Sequence, residues 1–520
     1  MGESVNQLVE KLNSMPKKKV ALINPPSFFL TDDKVFSSLG LLSLAGVLGR
    51  THHQARFYDL AGREDYLAEM QRIVNESQAD VYGITSTSPQ YSYALQIQRA
   101  IREASPYPVK VAIGGPHASM MSSLRQKSVS KYGKDKAYAQ EKNLETLEAF
   151  DQIIEGEEGG LVHLLGDSKE RWVNGGILSD LDGLPILPRE LIDMKSYLFD
   201  KNGKPKFDID GSPATSLMSQ RGCPYGCNFC SGRDVAQYRQ MRVNGQFRAQ
   251  SPDRVIAELN HINQQFGVKG FMFYDDELNL VPDRTFSLLD ALIKNNKERQ
   301  ARGLDQYSFR GFVKSEQVVK HPKILPAMKE AGFSELLSGF ESGSDRLLRT
   351  IIKKNTTRDI NLKCARLAFD AGMSVKALTM VGHPTEKRED LEHTMSFLDS
   401  VGKMAKEKEM PWNFDLTVLC PYPGSPIYDN LIPNTGKFSE SYGRVLGDGE
   451  LYVRDIDFGA DQSAYKTATG ENQVYIRTNE LSSEELLEFR NKIDSNLREK
   501  YGLKGFARAE KDIMHSMGQS

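Results

Sequence analysis

No run of this sequence is long and apolar enough to cross a bilayer. The longest weakly polar stretch, VFSSLGLLSLAGVLG at 35–49, falls short of the roughly 20 residues a spanning helix needs. Its apolar residues recur at helical spacing, which predicts a buried amphipathic helix. The opening residues, MGESVNQLVEKLNSMPKKK, lack an apolar signal core. A cytoplasmic protein without a transmembrane segment is expected. Charge bias is absent too: 67 Lys and Arg against 69 Asp and Glu leave a formal net charge of −2. Nothing there points to nucleic acid or an anionic membrane as partner. Cysteine is scarce. The five present are an odd number without a secretory signal, which argues against a disulfide framework. No internal repeat is visible. What remains is ordinary globular composition, 39% hydrophobic and 26% charged over 520 residues, a length that suggests roughly two to four domains.

Residues 18–170 alternate strand and helix signals. KVALIN, ARFYD, DVYGITS, VKVAIGG and QIIEG read as short buried strands, separated by helical stretches such as SLGLLSLAGVLGR and SYALQIQRAIREA. That alternation predicts a doubly wound, Rossmann-like parallel sheet, whose ligands sit at the carboxyl ends of its strands. The loops there are NPPS (24–27), DLAG (59–62), TSTSPQ (85–90), GGPHAS (114–119) and EGEEGG (155–160). Their Gly, Ser, Thr and Pro suit close backbone approach to a large ligand. The polar, Lys-rich segment 122–148 reads as an insertion, 1–17 as an N-terminal extension, and 171–212 as a proline-bearing linker.

A second alternating series occupies 213–430, with strand signals SLMSQ (216–220), GFMFY (270–274), SFRGFV (308–313), ELLSGF (335–340), VKALTMVG (375–382) and FDLTVLC (414–420). Six β/α units fit a partial (β/α)6 barrel, with its site at the C-terminal strand ends. The clearest helix is 253–266, with Ser251 as N-cap, Pro252 at the first position and Gly267 as stop. The remainder, 431–520, reads as a small α+β C-terminal region with a helix near 482–500.

Three cysteines lie in MSQRGCPYGCNFCSGRD, directly after the first barrel strand. Thiolates at Cys223, Cys227 and Cys230 can face one cubane from a single loop, and thiolate is the usual ligand of iron–sulfur clusters. Three ligands for four irons leave one iron open to a chelating substrate. Zinc is the alternative, but it usually takes four ligands, and no fourth Cys or His lies nearby.

This CxxxCxxC loop on a (β/α)6 pattern resembles the radical S-adenosylmethionine (SAM) superfamily. RGCPYGCNFCS, SPDRVIAELNHINQQFGVKGFMFYDDELNL, GFESGSDRLLRTIIKKNTT, VGHPTE and PYPGSPIY are similar to its cobalamin-binding-domain branch. So are SLGLLSLAGVL, the TSTS loop, GGPHAS and EGEEG of the front half. The resemblance implies a [4Fe-4S] cluster on Cys223, Cys227 and Cys230 that reductively cleaves SAM to a deoxyadenosyl radical. It also implies contact between the methionyl amino group and Asp275, Asp276 or Glu277, for which the alternative is an N-cap of the next helix. Glu341 and Ser342 are implied to contact the ribose hydroxyls. VGHPTE departs from the family's GxPGET pattern at His383 and Thr385, which leaves adenine contacts open.

Arg310 on the third barrel strand can pair with a carboxylate of cofactor or substrate, or form a structural ion pair. Cys420 is either a functional thiol or a small buried hydrophobe. Cys364 sits at core spacing within a helix. In the front half no DxHxxG follows the first strand, so the resemblance implies cobalamin without a protein imidazole ligand. Ser86, Thr87 and Ser88 would reach its tail or corrin amides, and Gly114 and Gly115 would admit it closely. His117 reads as a loop hydrogen-bonder rather than a cobalt ligand. No GxGxxG follows the first strand, which weakens a nucleotide reading; a domain that binds nothing stays open.

The implied activity is C-methylation of an unactivated carbon, using methylcobalamin and the deoxyadenosyl radical. A small molecule or biosynthetic intermediate would be substrate, and a flavodoxin or ferredoxin the electron donor. The alternatives are a non-methylating cyclase, ring-contraction or rearrangement enzyme of the same branch, and a non-catalytic corrin or cluster sensor.

Overall fold

The computed structural model describes residues 2–27, 32–135, 137, 142–230, 247–429, 452–453, 476–478 and 480–503. Six parallel strands build the N-terminal sheet: β1 (Lys19–Asn24), β2 (Gln54–Asp59), β3 (Val81–Thr85), β4 (Lys110–Gly114), β5 (Gln152–Glu155) and β6 (Trp172–Asn174). Their order is β2-β1-β3-β4-β5-β6. β1 is buried from Val20 to Asn24, as a strand covered by helices on both faces must be. The chain reverses its winding between β1 and β3. Doubly wound sheets open their ligand crevice at that switch point, where residues 25–27 and 86–88 emerge.

Five of these strands match the expected ones. β6 was not expected: WVN is three residues, too short for a periodic signal, and it lies inside the segment 171–212 read as a linker. The Lys-rich segment 122–148 is not an insertion at its start. The crossover helix after β4 runs unbroken from Pro116 to Tyr132. It buries Met121, Ser122, Ser123 and Leu124, exposes Lys131 and leaves Lys127 half-buried, donating to Gly424 O. Small serines pack under a helix as readily as alanine, so their polarity misled. Residues 1–17 also carry structure. Ser4 and Gln7 form a capping box that opens helix Val5–Asn13, and Val5, Leu8 and Leu12 enter the N-terminal core.

The next strands are β7 (Asp208–Ile209), β8 (Ser212–Leu217), β9 (Gln220–Arg221), β10 (Arg248–Ala249), β11 (Gly270–Phe273), β12 (Ser308–Gly311), β13 (Glu335–Glu341), β14 (Ser374–Val381) and β15 (Trp412–Val418). β8 and β11–β15 form a curled half-barrel. Its ladder is continuous as β12-β11-β8-β7 and as β13-β14-β15. Bridges Phe309–Phe333 and Phe312–Leu337 span the join. Helix Pro252–Phe266 forms as expected, with Ser251 accepting from the Arg254 amide and Gly267 left-handed at its end. Ser482 and Glu485 cap helix Ser483–Tyr501.

Leu39–Leu48 is apolar all round, and such a helix must be buried on every side. Leu41 and Ala45 join the N-terminal core while Leu42 joins the barrel core. This helix is therefore shared packing between the two sheets. Among the described residues no helix is long and apolar enough to cross a membrane.

Buried carboxyls leave a pH signature. Glu386, in the VGHPTE loop, is fully buried and pushed up to about 8 by burial, although the Gly382 and His383 amides donate to it. Its folded pKa lies above the unfolded one, so unfolding releases the proton. Stability falls as pH rises from about 4.5 to about 8. Glu386→Gln should flatten that fall, read as denaturation midpoints at pH values either side of the window.

Candidate active site between two sets of strand ends

The C-terminal loops of both sheets border one cavity of about 610 Å³. Asn24, Thr87, Ser88, Gly114 and Gly115 line it from the N-terminal sheet, and Arg221, Gly222, Tyr274 and Asp276 from the barrel. Parallel strands direct their free carboxyl ends and following loops to one side. Two such sheets facing each other make a site neither would have alone.

The cysteine loop begins at this cavity, with Arg221 and Gly222 in its lining directly ahead of Cys223. Cys223, Cys227 and Cys230 are half-buried thiols outside any disulfide. The loop is braced against Leu347–Ile352: the Asn228 amide donates to Ile352 O at 2.9 Å, its side chain donates to Ile351 O at 2.7 Å, and Phe229 packs on this segment's apolar side chains. Leu347–Ile352 is a π-helix, a form that recurs at functional sites. Burial pushes the Cys223 and Cys227 thiols up. Among the described residues no group of three His, Cys, Asp or Glu side chains is gathered for a single metal ion. The donor chemistry, three soft thiols in one short loop, fits a multi-iron cluster rather than zinc.

The acids after β11 divide their roles. Asp275 is buried, with Oδ1 accepting from the Ser219 and Gln220 amides and Oδ2 from the Ser219 hydroxyl. It clamps the loop ahead of the cysteines, and burial pushes it up to about 6. Asp276 accepts from the Gly222 amide and lines the cavity. Glu277 keeps Oε2 buried without a donor. Burial pushes it up to about 7, with Lys354 and Lys314 pulling the other way.

Glu341 ends β13 at φ +63°, where the ladder shifts register. A non-glycine residue in that region stores backbone strain and is held by its surroundings. Lys354 does the holding, donating to Glu341 Oε1 at 2.8 Å and to Gly339 O at 2.5 Å. Ser342 is fully buried, its hydroxyl engaged by Thr394 and the Ser344 amide. It supports the loop instead of facing the cavity.

Two lysines here were missed in the sequence. Lys314 follows β12, lies 3.1 Å from Glu316 and stands over the Tyr225 ring of the cysteine loop at 4.1 Å. Lys354 lies two residues beyond the π-helix Leu347–Ile352. A lysine just beyond a barrel strand is the only local signal for the first. Together Lys314, Lys354, Glu277 and Glu341 form a buried mixed-charge group beside the thiols.

The other candidates are structural in their contacts. Arg310 is paired with Glu335 on the adjacent strand. Cys420 packs against the N-terminal core, and burial pushes its thiol up to about 12, which keeps it inert. Cys364 is wholly buried in the barrel core.

On the N-terminal side, Thr85–Ser88 is knitted into the loop. The Ser86 hydroxyl donates to Thr87 O, and Ser88 bonds His117 Nδ1 at 3.0 Å. His117 is fully buried, stacked on Tyr91 and pushed down to about 3 by burial. It is a neutral imidazole in the first turn of helix Pro116–Tyr132, not in a loop. Thr87 stays exposed at the cavity, capped onto Gln90. Gly115 has φ +89°, and a Cβ there would lie 2.7 Å from Thr85 Oγ1. Gly115→Ala should cost about 1–3 kcal/mol from strain alone, read as a lower unfolding midpoint.

Residues 217–398 match the radical SAM superfamily. That stretch of the chain is a radical SAM domain. As a radical SAM enzyme it uses a [4Fe-4S] cluster and SAM, which suits the thiol loop and the charged group beside it. An uncharacterized methyltransferase of Pyrococcus horikoshii is 26% identical over 432 residues, 81% of this chain and 84% of that one. The anaerobic magnesium-protoporphyrin IX monomethyl ester cyclase of Cereibacter sphaeroides is 24% identical over 369 residues, 69% of this chain and 54% of that one. Among solved structures, the radical SAM methyltransferase TsrM of Kitasatospora setae, with cobalamin and a [4Fe-4S] cluster bound, superposes at TM-score 0.55 and 14% identity. That match covers 96% of this radical SAM enzyme and 98% of TsrM, and it shows a shared fold.

Proposed function

We propose that this radical SAM enzyme is a cobalamin-dependent C-methyltransferase. The observation that carries the reading is the single cavity shared by the strand ends of both sheets. Its barrel wall is built by Arg221, Gly222 and Asp276, next to the thiol loop and the charged group, and its other wall leaves room for a flat corrin. A relative named as a methyltransferase and a cobalamin-bound structural neighbour support it.

In this reading Cys223, Cys227 and Cys230 hold the cluster. Glu277 and Asp276 receive the methionyl ammonium, Lys314 and Lys354 its carboxylate, and Glu341 the ribose diol; a carboxylate suits each cationic or hydroxyl partner. Thr87, Gly114 and Gly115 border the corrin, and His117, already held by Ser88 and Tyr91, leaves cobalt without a protein imidazole. The bound groups supply radical generation and a transferable methyl, while the chain supplies orientation and exclusion of water. A small-molecule or biosynthetic-intermediate substrate, a flavodoxin- or ferredoxin-type donor and a cytoplasmic setting belong to the same reading.

The test needs no substrate. Anaerobically reconstituted protein is loaded with hydroxocobalamin, reduced, and given SAM with a deuterated methyl. Deuterated methylcobalamin and 5′-deoxyadenosine are expected. Failure to retain corrin, or corrin without label, overturns methyl transfer. A cyclase-type outcome is the second reading, favoured by the cyclase relative's 69% coverage of this chain. It predicts corrin binding and deoxyadenosine without labelled methyl.

A further inference from the structure

Two adjacent carboxylates after β5 reach across to the barrel. Glu158 accepts from Arg221 Nη1 and Nη2 at 2.8 and 2.7 Å and from the Ser43 hydroxyl at 2.5 Å. Glu157 accepts from Arg248 Nη1 and Nη2 at 2.7 and 2.8 Å and from the Leu178 amide at 2.9 Å. Both carboxylates are 3% exposed. Against the penalty of burial, Arg221 holds Glu158 well below the usual carboxylate range.

The two arginines are not scattered. Arg221 pairs with Arg248 across the short antiparallel ladder β9–β10, which closes the base of the segment bearing all three cysteines. Arg221 lies two residues before Cys223. The carboxylates stand on a rigid base. A Cβ on Gly159 would lie 2.1 Å from Gly175 O, and one on Gly175 would lie 2.2 Å from the Gly160 amide. The EGEEGG loop is wedged against that strand-end turn and cannot slide. Glu157, Glu158 and Arg221 also line the shared cavity.

We infer that Glu157 and Glu158 are positioning residues that fix the cysteine loop against the N-terminal sheet, so that occupancy of either cofactor site is felt at the other. The inference rests on the cluster and corrin sites proposed above. Bidentate pairs fix orientation as well as distance, and coupling through them must be reciprocal. Cluster loading should therefore tighten corrin binding.

The experiment is a hydroxocobalamin titration of cluster-free and cluster-loaded protein, for the parent chain, Glu158→Gln and Glu158→Gln/Arg221→Gln. The parent should gain roughly tenfold in affinity on cluster loading, within the usual range of such couplings. Both variants should show less than about threefold, each taken as the ratio of its own cluster-loaded to cluster-free affinity. In Glu158→Gln the buried Arg221 keeps only Glu157, at 3.5 Å; the double variant removes that weakly paired cation and the destabilisation it brings. Parental coupling in either variant, or none in the parent, overturns the inference. If the parent binds no corrin, the proposed function fails instead. Hydrogen exchange in cofactor-free protein then decides: amides of 220–223 should exchange roughly tenfold faster in the double variant, and unchanged exchange overturns the positioning role.

Discussion

Cys227→Ala is expected to remove the visible iron–sulfur absorption and 5′-deoxyadenosine formation together, to background. A cubane held by three protein thiolates loses a third of its protein ligands with one substitution. No fourth cysteine is near enough in sequence to substitute: Cys364 is wholly buried in the barrel core and Cys420 is packed against the N-terminal core. The fold should survive. The Cys227 side chain is half-buried and makes no disulfide, and the loop keeps its bonds from Asn228 to Ile351 and Ile352. The measurement is parallel: circular dichroism for fold, iron and sulfide content, and deoxyadenosine under dithionite. Persistent cleavage in the variant would sink the cluster assignment. Cys420→Ala is the control, with cluster and cleavage retained.

Lys354→Met should cause the largest loss among the charged residues. It leaves Glu341 buried without its cation, at a backbone angle that the ion pair restrains. Removing one partner of a buried pair typically costs about 3–5 kcal/mol. The same lysine opposes the rise that burial imposes on the Glu277 carboxyl and on the Cys227 thiol. Structural and ligand roles can be separated. Lys354→Met/Glu341→Gln removes the uncompensated charge and should recover most of the lost stability, measured by urea unfolding. It should not recover SAM binding, because the proposed contacts to carboxylate and ribose are both gone. Recovery of deoxyadenosine formation in the double variant would show that Lys354 serves the fold alone.

The cluster loop could be read without a structure because its chemistry is local. Four residues from Cys223 to Cys227 and three more to Cys230 set the donor geometry within one loop. Helix Pro252–Phe266 was equally plain, since Ser251, Pro252 and Gly267 act on their own neighbours. Buried runs such as KVALIN announced five of the six N-terminal strands. The three-residue β6 announced nothing, and serines beneath Pro116–Tyr132 passed for an exposed insertion. Asp275 and Ser342 were rightly put at strand ends, yet their side chains point to the loops they brace.

The sequence by itself determined the alternation of strands and helices, the thiol loop and the glycine-rich strand ends, because each depends on residues a few positions apart. Tertiary structure alone decided which charges meet. Glu158 finds Arg221 and Glu157 finds Arg248 across 63 and 91 residues, and Lys354 finds Glu341 only because β13 bends at its end. A carboxylate's partner is set by where two sheets direct their loops, and no periodicity along the chain encodes that meeting.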